Sequence, residues 1–287
     1  MILFFIFNFI SNTLSLNLNN FVFKNVNLND ISVTYETYNS NKFKVYKPAT
    51  IYDTKEQKNI IFYTGGNSII PSNIYSNFLK ILASYGYKIY AADTNSDINE
   101  YLYDNLNINT YVLGHSSGCM TALFDSNKYK YIEKAILMDP VKSTELLNKF
   151  NLFDKEYIKI KHLKNILLLN AEKSYKWTFF PKLNIPFIPA FSLKENEIYK
   201  LNNNVHVQKI EASDFGHCDI LDNIYSDFMH NSLSKGNVNR DELYLLKYMN
   251  WLSLCIDNFI NNNNSLKINI LNEENSIIKK TDALFAP

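Results

Sequence analysis

The stretch Tyr111-Val112-Leu113-Gly114-His115-Ser116-Ser117-Gly118-Cys119-Met120 constrains this chain more than any other. It joins an apolar strand end to Gly-x-Ser-x-Gly and then to a helix-forming run, Met120-Thr121-Ala122-Leu123-Phe124. A serine between two glycines at a strand-to-helix junction has the form of a nucleophile elbow. The chemistry needs these residue types. Ser116 must stand clear of a tight turn, and Gly114 and Gly118, lacking a Cβ, let strand and helix approach closely. The serine then sits at a helix N-terminus, where backbone N–H groups and the helix dipole favour a developing oxyanion.

Glycine usage points to the same place. A chain of this length at ordinary usage, about 7%, holds roughly 20 glycines, whereas this one holds 7 in 287 residues. The composition leans towards Asn, Lys, Ile and Tyr, so glycines kept against that lean mark backbone positions intolerant of a Cβ. Gly65, Gly66, Gly114, Gly118 and Gly216 fall in three short motifs, expected to meet in one site. With 46% hydrophobic residues the chain can build a sizeable core, and a net charge of +1 gives no electrostatic reason to bind nucleic acid or acidic partners. Cys119, Cys218 and Cys255 have neither metal-ligand spacing nor a disulfide framework and read as small buried thiols. No metal and no organic cofactor is expected.

Residues 1–10 are almost wholly apolar and are followed by polar Ser11-Asn12-Thr13. A run of this length is too short to span a membrane and fits the apolar region of a signal peptide. Residues 1–19 are therefore expected to be a targeting segment giving entry to the secretory or endomembrane system, with a bipartite plastid leader as the alternative. No other stretch is long and apolar enough for a transmembrane helix, so no membrane span is expected in the mature chain.

Residues 20–57 read as two or three antiparallel strands, including Ile31-Ser32-Val33-Thr34-Tyr35, where Ile31, Val33 and Tyr35 share a face. Strands and helices then alternate. Strands are expected at 59–63, 87–92, 110–113, 134–138, 165–170 and 205–210. Helices are expected at 71–85, 98–106, 119–125 and 241–260, the last with Leu243, Leu245, Leu246, Met249, Leu252, Cys255, Ile256 and Ile260 as its apolar residues. Such alternation implies an α/β fold, a mostly parallel central sheet with helices on both faces. One domain is expected over 20–272, with a peripheral tail at 273–287; within 266–271 an edge strand is expected.

Reactive groups in an open parallel sheet gather outside the carboxyl ends of its strands. Ser116, Asp139 and His217 all lie at such ends, in the Ser…Asp…His order of α/β-hydrolases. A serine hydroxyl is a poor nucleophile until a base takes its proton. His217 is the candidate base, and Asp139 the group that holds its tautomer and stabilises the imidazolium. An oxyanion hole needs two donors, for which the backbone N–H of Ser117 and that of Gly66 are the candidates. Among the other histidines, His115 reads as structural, His162 and His230 lack a strand-end setting, and His206 is expected to face the core or a helix. Asp93, Asp214, Asp219 and Asp222 read as caps, turns or hydrogen-bond partners.

These residues resemble the plant and algal chlorophyllase family, α/β-hydrolases that cleave the phytyl ester of chlorophyll. The resemblance rests on Ile61-Phe62-Tyr63-Thr64-Gly65-Gly66-Asn67, on Tyr75-Ser76 and on Ile81-Leu82-Ala83-Ser84-Tyr85-Gly86-Tyr87. It continues through Gly114-His115-Ser116-Ser117-Gly118, Met138-Asp139-Pro140-Val141 and Asp214-Phe215-Gly216-His217-Cys218-Asp219-Ile220-Leu221-Asp222. It covers roughly residues 43–272 and implies Ser116, Asp139 and His217 as the catalytic triad. The chain departs from the family at Thr64-Gly65, where His-Gly is usual, and at Ser117-Gly118-Cys119, where Arg-Gly-Gly is usual. Both departures are expected at the mouth of the site, where they bear on substrate.

A short cap near 172–200, with Trp177, Phe179, Phe180, Phe187, Ile188 and Phe191, suits a small lipophilic ester where these side chains line a pocket, the alternative being that they pack the insertion down. The expected activity is chlorophyllase-like ester hydrolysis through an acyl-enzyme, giving chlorophyllide and phytol. A lipase or another lipophilic-ester carboxylesterase is the alternative within enzymes. A catalytically silent α/β-hydrolase that binds a lipid or a protein is the alternative outside them, and a triad complete in register argues against it. Oligomeric state leaves no trace in the sequence.

Overall fold

A computed structural model of the chain describes residues 14–16, 28–38, 41–49, 57–68, 70–92, 106, 109–141, 162–171, 174, 204–212, 215–222 and 242–262. Nine strands are present among them: β1 (Leu14–Leu16), β2 (Ile31–Tyr38), β3 (Asn41–Pro48), β4 (Lys58–Tyr63), β5 (Tyr87–Ala92), β6 (Thr110–His115), β7 (Lys134–Met138), β8 (Asn165–Ala171) and β9 (His206–Ala212). They form one sheet in the order β1-β9-β8-β7-β6-β4-β5-β3-β2. Pairing is parallel from β1 through β5, and β3 and β2 add antiparallel at one edge.

The apolar runs of the central strands are continuous because both faces are covered. In β4, Ile60 and Phe62 face one core, while Ile61 and Tyr63 face the other. β7 divides in the same way, with Ile136 and Met138 on one side and Ala135 and Leu137 on the other. A single helical turn, α1 (Gly65–Ser68), follows β4. Helix α2 (Ser76–Ala83) and helix α4 (Glu242–Ile260) cover the first face through Phe78, Leu79, Leu82, Trp251 and Ile256. Helix α3 (Gly118–Lys128) covers the second through Cys119, Ala122 and Leu123. Each large side chain sealed in this way contributes about 1.5–3 kcal/mol relative to exposure.

Strand order places the site. β4 lies between β5 and β6, so the chain leaves β4 towards one edge and later returns to build β6 and β7 on its other side. The helices that follow β4 and β6 cover opposite faces of the sheet, and the strand order reverses between these two strands, so the functional groups are expected at their carboxyl ends. Tyr63 is in register with Gly114, which brings Thr64-Gly65-Gly66 beside Ser116.

Several expectations need correction. The helix expected over 71–85 is a 3-10 turn, Ser72–Tyr75, followed by α2, which ends at Ala83; a turn then leads to Gly86, whose φ is +99°. Ile31 is buried, but Val33 and Tyr35 on the same face are 38% and 63% exposed, because β2 is the edge strand. Leu243 is 61% exposed at the first turn of α4 rather than part of its packed face. His206 opens β9 and is exposed, not turned towards the core or a helix, because it alternates with Val205 and Val207, which are buried on the opposite face. Leu14–Leu16 adds a further strand, parallel to β9, at the other edge of the sheet. Residues 98–105 and 266–271, and the aromatic cap residues from Trp177 to Phe191, lie outside the described residues. No described helix is long and apolar enough to cross a membrane.

Candidate active site

The elbow is held by contacts that leave no room for larger residues. A Cβ on Gly114 would lie 2.6 Å from Cys119 Cα, and one on Gly118 would lie 2.3 Å from the Thr64 carbonyl oxygen. The strain itself is carried by the serine. Ser116 has φ +56°, in the left-handed region that L-residues avoid. Its backbone is pinned from both sides: Ser116 N–H donates to Met138 O at 2.9 Å, and Ser116 O accepts from Val141 N–H at 3.1 Å. The side chain is half-buried, standing at the carboxyl end of β6.

Asp139 follows β7 and also has a positive φ, +44°. Its N–H donates to Leu169 O at 2.8 Å, tying the turn to β8. The carboxylate is buried and satisfied by charge-assisted bonds. Ala171 N–H donates to Oδ1 at 2.8 Å, and Ser174 Oγ donates to Oδ2 at 2.6 Å. Ser174 is absent from the residues singled out in the sequence. It lies in the stretch read as a cap, with no motif to mark it.

His217 follows β9 in the segment 215–222, buried as far as Leu221. Its Nε2 is 2.9 Å from Ser116 Oγ, and its Nδ1 is 3.5 Å from Asp139 Oδ2. The first is a hydrogen bond; the second is a polar approach longer than a good hydrogen bond. Ser116, Asp139 and His217 thus form a continuous chain of polar contacts, drawn from positions 101 residues apart at the Ser–His pair. A serine hydroxyl donating to one imidazole nitrogen, with a carboxylate opposite the other, supports proton transfer from the hydroxyl to the ring.

Ser117 is the N-cap residue of α3, and its N–H lies at the positive end of that helix. Gly66 has φ +63°, which favours glycine, and stands exposed at the turn beyond β4. The N–H of neighbouring Gly65 is already committed to Tyr75 OH at 3.1 Å.

Thr64, Ser117 and Cys119, expected at the mouth of the site, are instead buried. Cys119 packs in the core on the α3 side and its Sγ approaches Met138 O at 3.5 Å. Burial pushes its thiol well above the usual range. Among the other acids, Asp219 accepts from Gly216 N–H at 2.9 Å and so closes the turn that carries His217. Asp93, Asp214 and His230 lie outside the described residues, and His162 lies just before β8.

Asp222 ties the histidine segment to α2. Its N–H donates to Ile74 O at 2.8 Å and its Oδ1 accepts from Asn77 N–H at 2.9 Å. Burial pushes this carboxyl up from 3.8 to about 6, opposed by its hydrogen bonds to backbone amides. A carboxyl raised in the folded state binds a proton that the unfolded chain does not, so stability falls as pH rises through the window from 3.8 to about 6. Asp222→Asn keeps an acceptor for Asn77 and removes the titration. Melting curves should show the wild type losing Tm relative to Asp222→Asn between about pH 4 and pH 6; parallel pH profiles would contradict this.

No family model matches the chain, and no curated protein sequence matches it either. Solved structures do resemble it. A mutant of the esterase rPPE superposes with a TM-score of 0.51 at 15% identity, covering 80% of this chain and 83% of that one. The Francisella virulence factor BioJ superposes with a TM-score of 0.52 at 14% identity, covering 81% and 85%. The architecture is the α/β-hydrolase fold.

Proposed function

We propose that this chain is a serine carboxylic-ester hydrolase in which Ser116 is the nucleophile, His217 the general base and acid, and Asp139 the group that orients His217. The observation that carries the reading is the 2.9 Å contact of Ser116 Oγ with His217 Nε2, backed by Asp139 on the far side of the ring. Ser116 Oγ attacks the ester carbonyl carbon as its proton passes to His217 Nε2. The tetrahedral intermediate collapses, His217 returns that proton to the departing alkoxide, and an acyl-serine remains. Water then attacks the acyl carbon, its proton passing to His217 and on to Ser116 Oγ as the acid leaves.

Ser117 N–H and Gly66 N–H are assigned to the oxyanion. They flank Ser116 from the start of α3 and from the turn after β4, and Gly65 N–H is engaged elsewhere. Losing such a donor costs roughly 2.7–4 kcal/mol in enzymes of this chemistry. That rPPE is described as an esterase accords with the reading.

For substrate, we assign a lipophilic ester, with the phytyl ester of chlorophyll as the first choice. Support comes from Met138-Asp139-Pro140-Val141 and Gly216-His217-Cys218-Asp219-Ile220-Leu221-Asp222, the parts of the sequence most specific to the chlorophyllase resemblance. Entry to the endomembrane system through residues 1–19 belongs to the same reading. The test is product chromatography after incubation with chlorophyll and, separately, with p-nitrophenyl esters of graded chain length. Chlorophyllide release supports the chlorophyllase assignment. Turnover of the p-nitrophenyl series without chlorophyllide leaves a general carboxylesterase or lipase. Absence of both, with no fluorophosphonate label on Ser116, would leave the silent binding protein.

A further inference from the structure

His115 and Tyr75 form a buried polar pair that the triad chemistry does not use. Tyr75 OH lies 2.9 Å from His115 Nδ1, and His115 Nε2 lies 3.0 Å from the carbonyl oxygen of His217. Gly65 N–H donates to Tyr75 OH at 3.1 Å. Both side chains are buried, and the two histidine rings sit 4.7 Å apart, tilted by 32°.

Donor and acceptor roles follow without ambiguity. A carbonyl oxygen only accepts, so His115 carries its proton on Nε2. Burial, reinforced by His217, holds His115 well below the usual imidazole range, so the ring is neutral and Nδ1 is an acceptor. Tyr75 stays protonated because burial raises its phenol, and its O–H donates to Nδ1. Its oxygen is then open to Gly65 N–H. The proton order is therefore Gly65 N–H to Tyr75 O, Tyr75 O–H to His115 Nδ1, and His115 Nε2–H to His217 O.

From this chain of bonds we infer that Tyr75 and His115 are positioning residues that lock the Gly65-Gly66 turn to the segment carrying His217. This rests on the esterase reading for its kinetic consequence. The relay takes up Gly65 N–H, so the turn presents Gly66 N–H to the site. It also fixes the backbone from which the His217 side chain reaches Ser116. Each bond spans distant chain positions, 10, 40 and 102 residues apart.

The test uses Tyr75→Phe, His115→Leu and His115→Gln in the full chain. Turnover is measured per active site by fluorophosphonate titration, so unfolded protein is not counted. Tyr75→Phe and His115→Leu should each lower kcat by about 10- to 100-fold with KM within about twofold, as expected for a misplacement near 1 Å. His115→Gln keeps an N–H for His217 O and should recover much of the loss. The double variant Tyr75→Phe/His115→Leu should be no worse than the poorer single one, since both cut one chain. Hydrogen exchange supplies a readout independent of activity: Tyr75→Phe should speed exchange both at Gly65 and across 215–222. Multiplicative kcat losses, or unchanged kcat in both single variants, would overturn the proposal. If the wild type hydrolyses no ester, the esterase reading fails on its own, and unchanged exchange at 215–222 in Tyr75→Phe would still overturn the relay.

Discussion

Replacing Ser116 by alanine is expected to lower ester turnover by about a millionfold and to leave the protein folded. The expected activity loss follows from removing Oγ, the atom assigned to form the acyl bond. Residual turnover then comes from the oxyanion donors and substrate binding alone, and His217→Ala added to Ser116→Ala should cost nothing further, because the pair acts as a unit. Stability is a separate matter. The strained backbone at Ser116, φ +56°, is as costly for alanine as for serine, so the exchange neither relieves nor adds strain. The main-chain bonds to Met138, Val141 and Cys119 do not involve the side chain. The one bond lost, to His217 Nε2, is worth about 0.5–1.5 kcal/mol. Steady-state kinetics and a urea unfolding curve on the same preparation decide the point. Retained turnover in Ser116→Ala would remove the nucleophile assignment, and a large loss of stability would mean that Oγ is chiefly structural.

What could be read from the sequence, and what could not, divides by the range of the interaction involved. Strand positions such as 134–138 and 165–170 were legible because a strand buried on both faces needs an unbroken apolar run, and breakers mark its ends. The glycines were legible for a related reason. With few glycines overall, those at 114 and 118 mark contacts where a Cβ has no space. Edge and end effects were not legible. Val33 and Tyr35 alternate as buried residues would, but nothing local says that β2 is the edge strand and leaves them exposed. His206 sits inside an apolar pattern, yet it is the first residue of β9 and faces solvent. Side chains that act across the fold were the hardest. Ser174 reaches Asp139 from 35 positions away, and Tyr75 reaches His115 from 40. Only a polar residue at the end of an otherwise apolar strand, as at His115, hints at such a partner.

The second large effect should come from a single added methyl group. Gly118→Ala places a Cβ 2.3 Å from Thr64 O, 2.5 Å from Tyr63 O and 2.9 Å from Thr64 C. All three are backbone atoms at the carboxyl end of β4, so no side chain can swing aside. An ordinary carbon–oxygen contact needs about 3.3 Å or more, so α3 must move away from β4 by about 1 Å. That gap separates the two turns assigned to the oxyanion, with Gly66 on one side and Ser117 on the other. A displacement of this size costs about 100-fold in rate, and overpacking costs about 1–3 kcal/mol in stability. Gly86→Ala separates these effects. Gly86 has φ +99°, and a methyl group there would have no atom within 4 Å, so alanine meets strain but no clash. It should destabilise by about 1–2 kcal/mol while kcat per active site stays at the wild-type value. If Gly118→Ala lost only as much activity as Gly86→Ala, its effect would be general destabilisation, and the spacing between β4 and α3 would not be what sets the oxyanion geometry.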